Sequence, residues 1–294
     1  MRLKRLFVKK TKKFIINKLS NNFSTLFQAF NASQKSFTDI PYVTLKFKKN
    51  SSLAKINETI LLKIDGTILP KILETGNFDE FLFNFLKKKL NKKSLFVDIG
   101  SNHGLVSRQV SNIKWIKKII CFEPVKSIFN LLLFNTKKIK NIERFNYGWA
   151  QNNGYKLFFE NPSNSGDFSL IPNKQRIIKH KFKFKNAQTE LKKIINNNKK
   201  NLKIIMKTDC QGYDIKLFSY IDAKYLKNIY IYFLECKDIE KNSKNFYKKI
   251  KLFDKIYISC PFIHKGIKKI RFNDLHKYFK LKVEFDLILL NNNN

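Results

Sequence analysis

The residues of this 294-residue chain best placed to do chemistry are acids that close apolar runs. SLFVD ends on Asp98, KIICFE on Glu123, LKIIMKTD on Asp209 and IYIYFLE on Glu235. Short apolar runs of this kind read as buried strands, so each carboxylate falls where a strand ends. In an open parallel sheet, ligands bind beyond the carboxyl ends of the strands, at the crevice where strand order reverses. Acids gathered on one such rim are hard to explain as packing, because buried carboxylates repel each other and lose hydration. They need a ligand, hydrogen-bond donors or a cation.

The first acid opens the loop DIGSNHG, residues 98–104. Gly100 permits a tight turn, and Gly104 is expected to let backbone approach a ligand. Glu123 lies 23 residues beyond Gly100, close to the ~20-residue spacing at which an acid meets ribose hydroxyls. A dinucleotide site wants G-x-G-x-x-G so that a pyrophosphate can rest on helix amides. Here Asn102 stands where the second glycine belongs, and Asp98 precedes the first. A diphosphate would be repelled by Asp98. S-adenosylmethionine has no phosphate and carries an ammonium group, so the loop favours that cofactor. KTDCQGYD, 207–214, repeats the theme, with Asp209 ending a strand and Gly212 opening a helix.

Elements that could hold these residues alternate from residue 94 onward. Strand and helix patterns follow one another through IERFNY, GYDIKLFSYI, IYIYFLEC, KNFYKKIKLF, KIYISC and VEFDLILL. This predicts an α/β fold with a doubly wound, mostly parallel sheet, one of whose last two strands pairs antiparallel at the edge. The expected division is a basic N-terminal helix or tail over 1–40, a leader of short strands and a helix over 41–92, and the main domain over 93–290. In the leader, YVTLKF and ETILLKI read as strands, and Asp65–Gly66 as a hairpin turn into a strand TILPKI. Residues 77–90 read as a helix capped by Asn77 or Asp79. The polar stretch 161–200 reads as a lid or insertion.

Composition narrows the function. The net charge is +37, but the chain has only six arginines, and its lysines are spread along it. Lys, Asn, Ile and Phe all have codons rich in A and T, so genome bias accounts for the excess, and no specific nucleic-acid partner is expected. The four cysteines, Cys121, Cys210, Cys236 and Cys260, are too far apart for a zinc pair and read as core residues of a cytoplasmic protein. No metal is expected. No run approaches the ~20 apolar residues of a membrane span. Residues 1–30 keep helical apolar spacing among lysines, which suits either docking on the domain or peripheral contact with the inner membrane face.

VDIGSNHG at 97–104 resembles the V-D-x-G-A-N-x-G motif of the FkbM-type S-adenosylmethionine-dependent methyltransferases. FEP at 122–124, GDFSL at 166–170, KTDCQGYD and FLEC at 233–236 resemble further motifs of that family, in order, over about residues 60–290. The resemblance implies a class I methyltransferase fold, Rossmann-like, and O-methylation of a hydroxylated small molecule, secondary metabolite, sugar or glycan. By motif position, Asp98, Gly100, Asn102, Gly104 and Glu123 would contact cofactor, and Asp209 would face the acceptor as the base. Glu235, Gln211 and His264 are further candidates for the acceptor cleft. Trp149 either stacks beside adenine or packs in the core, and Asp167 and Ser169 are candidates for either ligand. His103 is expected to pack the loop. The chain departs from the family at Gln211, where glutamate is usual, and at Thr208 and Asp214. A nucleic-acid methyltransferase and a non-catalytic protein binding an anion or membrane surface are the alternatives.

Overall fold

The computed structural model describes residues 25–28, 42–48, 50–55, 58–63, 68–161, 164–198, 200–236 and 244–292. Its centre is an eight-stranded sheet in the order β14-β13-β15-β12-β11-β4-β5-β6. The strands are β4 (Ser94–Ile99), β5 (Ile116–Phe122), β6 (Ile142–Phe145), β11 (Lys203–Thr208), β12 (Ile229–Cys236), β13 (Lys255–Ser259), β14 (Ile267–Ile270) and β15 (Phe285–Leu290). The first five of these run parallel; β15 is antiparallel to both β12 and β13, and β14 is antiparallel to β13. Counted from β4 in chain order, the sheet without β14 runs 3-2-1-4-5-7-6. This is the expected class I methyltransferase fold. The antiparallel strand β15 lies inside the sheet; the edge is β14, which the sequence reading missed.

Parallel strands buried on both faces need unbroken apolar runs, and β4 is buried at every residue. Its side chains divide by alternation. Leu95, Val97 and Ile99 join one core with Met206, Leu234 and Leu287, whereas Phe96 joins the other with Ile205, Phe233 and Ile288. The polar residues at the carboxyl ends inherit this alternation. Asp98, Lys207, Glu235 and Asp286 follow Phe96, Ile205, Phe233 and precede Ile288 on the same face, and Lys207 pairs in register with Asp98, Glu235 with Asp286.

A second sheet runs β7-β10-β8-β9, from β7 (Gly148–Ala150), β8 (Gly154–Glu160), β9 (Phe168–Ser169) and β10 (Ile178–Asn186). The polar stretch 161–200 is therefore mostly regular: β10 spans nine residues, and the helix Ala187–Asn196 follows, its cap Asn186 accepting from Thr189 N at 2.9 Å.

The leader forms a third sheet of β1 (Thr25–Gln28), β2 (Tyr42–Phe47) and β3 (Thr59–Lys63). Residues 25–28 pair antiparallel with β2, which corrects the expected helix there; residues 1–24 and 29–41, and the turn at 65–66, lie outside the described residues. TILPKI is not a strand: Ile68–Thr75 is helical and buries Ile68, Leu69, Ile72 and Leu73. Period-3.6 spacing of those four outweighed the alternation read from a shorter window. Asp79 holds the N-cap position of the helix Glu80–Lys89 without a capping bond and meets Lys71 instead. Buried polar groups fasten the leader to the main domain. Asn135 binds both backbone groups of Leu61, and Arg108 binds Leu53 O and the Glu58 carboxylate. His103 accepts from Lys63 N at 3.3 Å, the loop-packing place expected of it. No helix among the described residues is long and apolar enough to cross a membrane.

Candidate functional site

Strand order reverses between β4 and β11, and a cavity of about 360 Å³ opens at their carboxyl ends. Asp209 N donates to Ile99 O at 3.0 Å, which presses the two exit loops together. A Cβ on Gly100 would lie 2.1 Å from the Asp209 carbonyl oxygen, and Gly100 has φ +78°. Gly100 is thus demanded by the neighbouring strand as well as by the turn. Gly104 has a different reason from the one expected. It does not line the cavity; its missing Cβ makes room for Leu132 and Thr136 on the helix Lys126–Thr136.

Glu123 lines the cavity with its carboxylate held by two backbone donors. Asn102 N donates to Oε2 and Val125 N to Oε1, each at 2.9 Å. Burial pushes its carboxyl up to about 7, against the pull of those two donors. Asn102 adopts φ 49° and donates through Nδ2 to Ser165 O, tying the loop to the wall formed by Asn164–Gly166.

Asp98 does not line the cavity. It is fully buried, accepts from Ser107 Oγ at 2.6 Å, and lies 3.8 Å from the ammonium of Lys207. Burial pushes its carboxyl up, and Lys207 and Ser107 pull it back. Lys207 does reach the cavity and also meets Asp209 Oδ2 at 3.1 Å. Burial alone would lower the Lys207 pKa; the charges of Asp209 and Asp98 override it and hold the ammonium protonated. Lys207 is the cation that lets the acids coexist. Sequence reasoning missed it, although its signal was present: residue 207 lies two before Asp209 in the run LKIIMKTD, and so on the same side.

Gln211 supplies the hydrogen-bond donors. Its Nε2 lies 2.7 Å from Asp209 Oδ1 and 3.2 Å from Glu235 Oε1, so one amide spans two carboxylates. Its own backbone takes φ 52° and its carbonyl accepts from Arg176, which also binds Asp167. Asp214 accepts from Cys210 N with both oxygens at 3.0 Å and fixes the loop; burial and then the charge of Asp209 push it up to about 7.

Asp209, Gln211, Glu235, Gly100, Asn102, Glu123 and Trp149 therefore share one cavity, and Asp98 and Gly104 stand behind it. His264 is not brought there. The turn at Cys260–His264 sets its ring edge-on to Tyr278 and its Nδ1 3.1 Å from Gly266 O. Asp167 and Ser169 point away from the cavity lining, which takes the alternate residues Gly166, Phe168 and Leu170. Trp149 is 1% exposed, with its ring centroid 5.0 Å from that of Phe122 at 59°, so core packing occupies its faces. Its Nε1 has no hydrogen-bond partner among the described residues. The cysteines are free, and burial pushes Cys121 up to about 12. No group of three or more His, Cys, Asp or Glu among the described residues could hold a metal ion.

No family model matches the chain, and no curated protein matches it. Solved structures do. One is a Streptococcus mutans protein in complex with SAH, 13% identical over 72% of this chain and 96% of that one, with a TM-score of 0.40. Another is M. capricolum TrmK with S-adenosyl-homocysteine, 13% identical over 72% of this chain and 68% of that one, with a TM-score of 0.36. A third is an rRNA methylase from Streptococcus thermophilus, 11% identical over 71% and 93%, with a TM-score of 0.39. The likeness is one of chain path, and the fold stands on its own strand order.

Proposed function

We propose that the chain is an S-adenosylmethionine-dependent methyltransferase that transfers a methyl group to a hydroxyl oxygen of a sugar, glycan or hydroxylated metabolite. The observation that carries it is Glu123 at the switch-point cavity, its two oxygens oriented by Asn102 N and Val125 N. A carboxylate fixed in this way keeps lone pairs for a vicinal diol such as a ribose, each charged hydrogen bond contributing about 1.5–3 kcal/mol. The residues present suit a phosphate-free cofactor: the cavity lining sets Asp79, Glu123, Asp209, Glu235 and Glu284 against Lys71 and Lys207, and Trp149 Nε1 offers a donor that a nucleobase nitrogen could satisfy. With Asp98 withdrawn behind Lys207, the cofactor's ammonium would fall to acids that do line the cavity, and its carboxylate to Lys207.

The bound cofactor supplies an electrophilic methyl carbon on a sulfonium. This chain's contribution is placement and proton handling. Asp209 faces the cavity with its side chain 32% exposed, and Lys207 and Gln211 hold its two oxygens. Within reach of an acceptor hydroxyl it would take the proton as the oxygen attacks, a role contributing ~10²–10⁴-fold. Alignment of the oxygen with the methyl group contributes the larger share, roughly 7–11 kcal/mol where orientation is ideal. Glu235 and Gln211 would accept from and donate to neighbouring hydroxyls.

A radiolabelled methyl-transfer screen against sugar nucleotides, glycans and small hydroxylated metabolites tests this. Transfer to oxygen in at least one acceptor class, lost in Asp209→Asn, is the expected result. Label transferred only to nitrogen or to nucleic acid would overturn the acceptor class.

A further inference from the structure

A second cavity, of about 730 Å³, lies over β4, β5 and β6 beside the helix Ala187–Asn196. It lies within the ~300–1,000 Å³ range of small-molecule sites. Its contents are the reverse of the first. Lysines at 117, 118, 140, 185, 193 and 200 line it, against two glutamates. Both glutamates are already engaged. Glu143 meets Lys118 at 2.6 Å, and Glu190 meets Lys193 at 2.8 Å while accepting from Tyr147 Oη. Lys117, Lys140 and Lys200 are exposed and make no ion pair among the described residues. The cavity therefore presents three lysines that have no ion-pair partner among the described residues.

Its wall is aromatic. Phe145 is half-buried and stacks on Phe122 with centroids 5.3 Å apart at 17°, and Tyr147 lies beside them at 5.6 Å from Phe145. Lys185 already sits 4.1 Å over the Tyr147 ring, whereas Phe145 lines the cavity while partly exposed. Lysine ammoniums recognise phosphate as point charges, and a half-buried aromatic face is a stacking platform for a base. Phe122 forms part of this wall while its neighbour Glu123 lines the first cavity, so the two sites stand back to back.

We propose that this second cavity binds a phosphorylated nucleotide, its base against Phe145 and its phosphates among Lys117, Lys140 and Lys200. The ligand is either a free nucleotide or the phosphorylated end of a nucleic-acid strand. The inference does not depend on the function proposed for the first cavity.

The test is calorimetric titration of the full chain with ADP, pyrophosphate, adenosine and a 5′-phosphorylated dodecanucleotide at ~150 mM salt, where diffuse attraction is screened. ADP should bind at least tenfold more tightly than adenosine. The triple variant Lys117→Glu, Lys140→Glu, Lys200→Glu should weaken ADP at least tenfold. A charge-matched control, Lys265→Glu, Lys268→Glu, Lys269→Glu, changes exposed lysines elsewhere and should alter it less than twofold. Phe145→Leu should weaken ADP severalfold and leave pyrophosphate unchanged. Tighter binding of the dodecanucleotide, displaced by ADP, identifies a strand end as the source; binding of ADP alone identifies the free nucleotide. Absence of ADP binding, equal binding of adenosine, or equal loss in both triple variants overturns the proposal.

Discussion

The two cavities lie on either side of one aromatic wall and carry opposite charge. The first is lined by five acids, Asp79, Glu123, Asp209, Glu235 and Glu284, against two lysines, Lys71 and Lys207, in a chain where basic residues outnumber acids 59 to 22. The second is ringed by lysines, and its two lining acids among the described residues, Glu143 and Glu190, are already paired. The difference lies in how each charge is held. At the first cavity the central acids are held by named partners, with Lys207 between the buried Asp98 and Asp209 and Gln211 between Asp209 and Glu235. At the second, Lys117, Lys140 and Lys200 face solvent without an ion pair among the described residues, which leaves them to meet a ligand's phosphates. The first site is ordered by its own internal pairing, whereas the proposed second site leaves its charges for the ligand to neutralise.

The largest expected effect breaks the first arrangement at its centre. Lys207→Met removes the one cation paired with Asp98 among the described residues and should cost about 3–5 kcal/mol of stability, because a buried pair is broken and one charge is left behind. Chemical denaturation measures it. The double variant Lys207→Met, Asp98→Asn should recover most of the loss; no recovery would mean that the lysine stem, not its charge, matters.

Next comes the acceptor side. Asp209→Asn keeps the shape and the backbone bond to Ile99, so cofactor affinity should change little while turnover falls about 100-fold or more. Wild-type turnover in that variant would remove Asp209 as the base. A smaller effect is expected at Glu123. Glu123→Ala should weaken S-adenosylhomocysteine binding about tenfold or more, since two charged hydrogen bonds are lost.

The smallest effect is a pH dependence. Burial raises Glu123 to about 7, above its value in the unfolded chain. The folded protein then binds more protons than the unfolded one between roughly pH 4.5 and 7. This group therefore contributes stability at low pH that is lost as pH rises through about 7 in the ligand-free protein. Affinity for a diol should move the other way, increasing as the carboxylate ionises. Glu123→Gln should flatten both trends; an unchanged slope in denaturation midpoints against pH would assign the dependence to Asp214, which burial also raises to about 7.

Much of this arrangement was legible in the sequence, and the failures have physical reasons. The unbroken runs of β4, β11 and β12 and the acids ending them gave the sheet and the rim. The nine-residue strand IKHKFKFKN escaped notice because lysines at alternate positions resemble the lysine background, although strict alternation is the strand signal. Gly104 and Asp98 were assigned to ligand because a motif fixes which residues occur, not which neighbour each one serves; here the neighbours are Leu132, Ser107 and Lys207. In a chain biased to lysine, arginine was the informative rarity. Arg108, Arg144 and Arg176 each fasten buried carbonyls or carboxylates with a guanidinium fork that lysine cannot imitate.

Calorimetric titration with S-adenosylhomocysteine tests the central claim most directly. One saturable site is predicted, weakened by Glu123→Ala and indifferent to Lys117→Glu, Lys140→Glu, Lys200→Glu across the wall. Absence of saturable binding, or binding abolished by the lysine variants and untouched by Glu123→Ala, would contradict it.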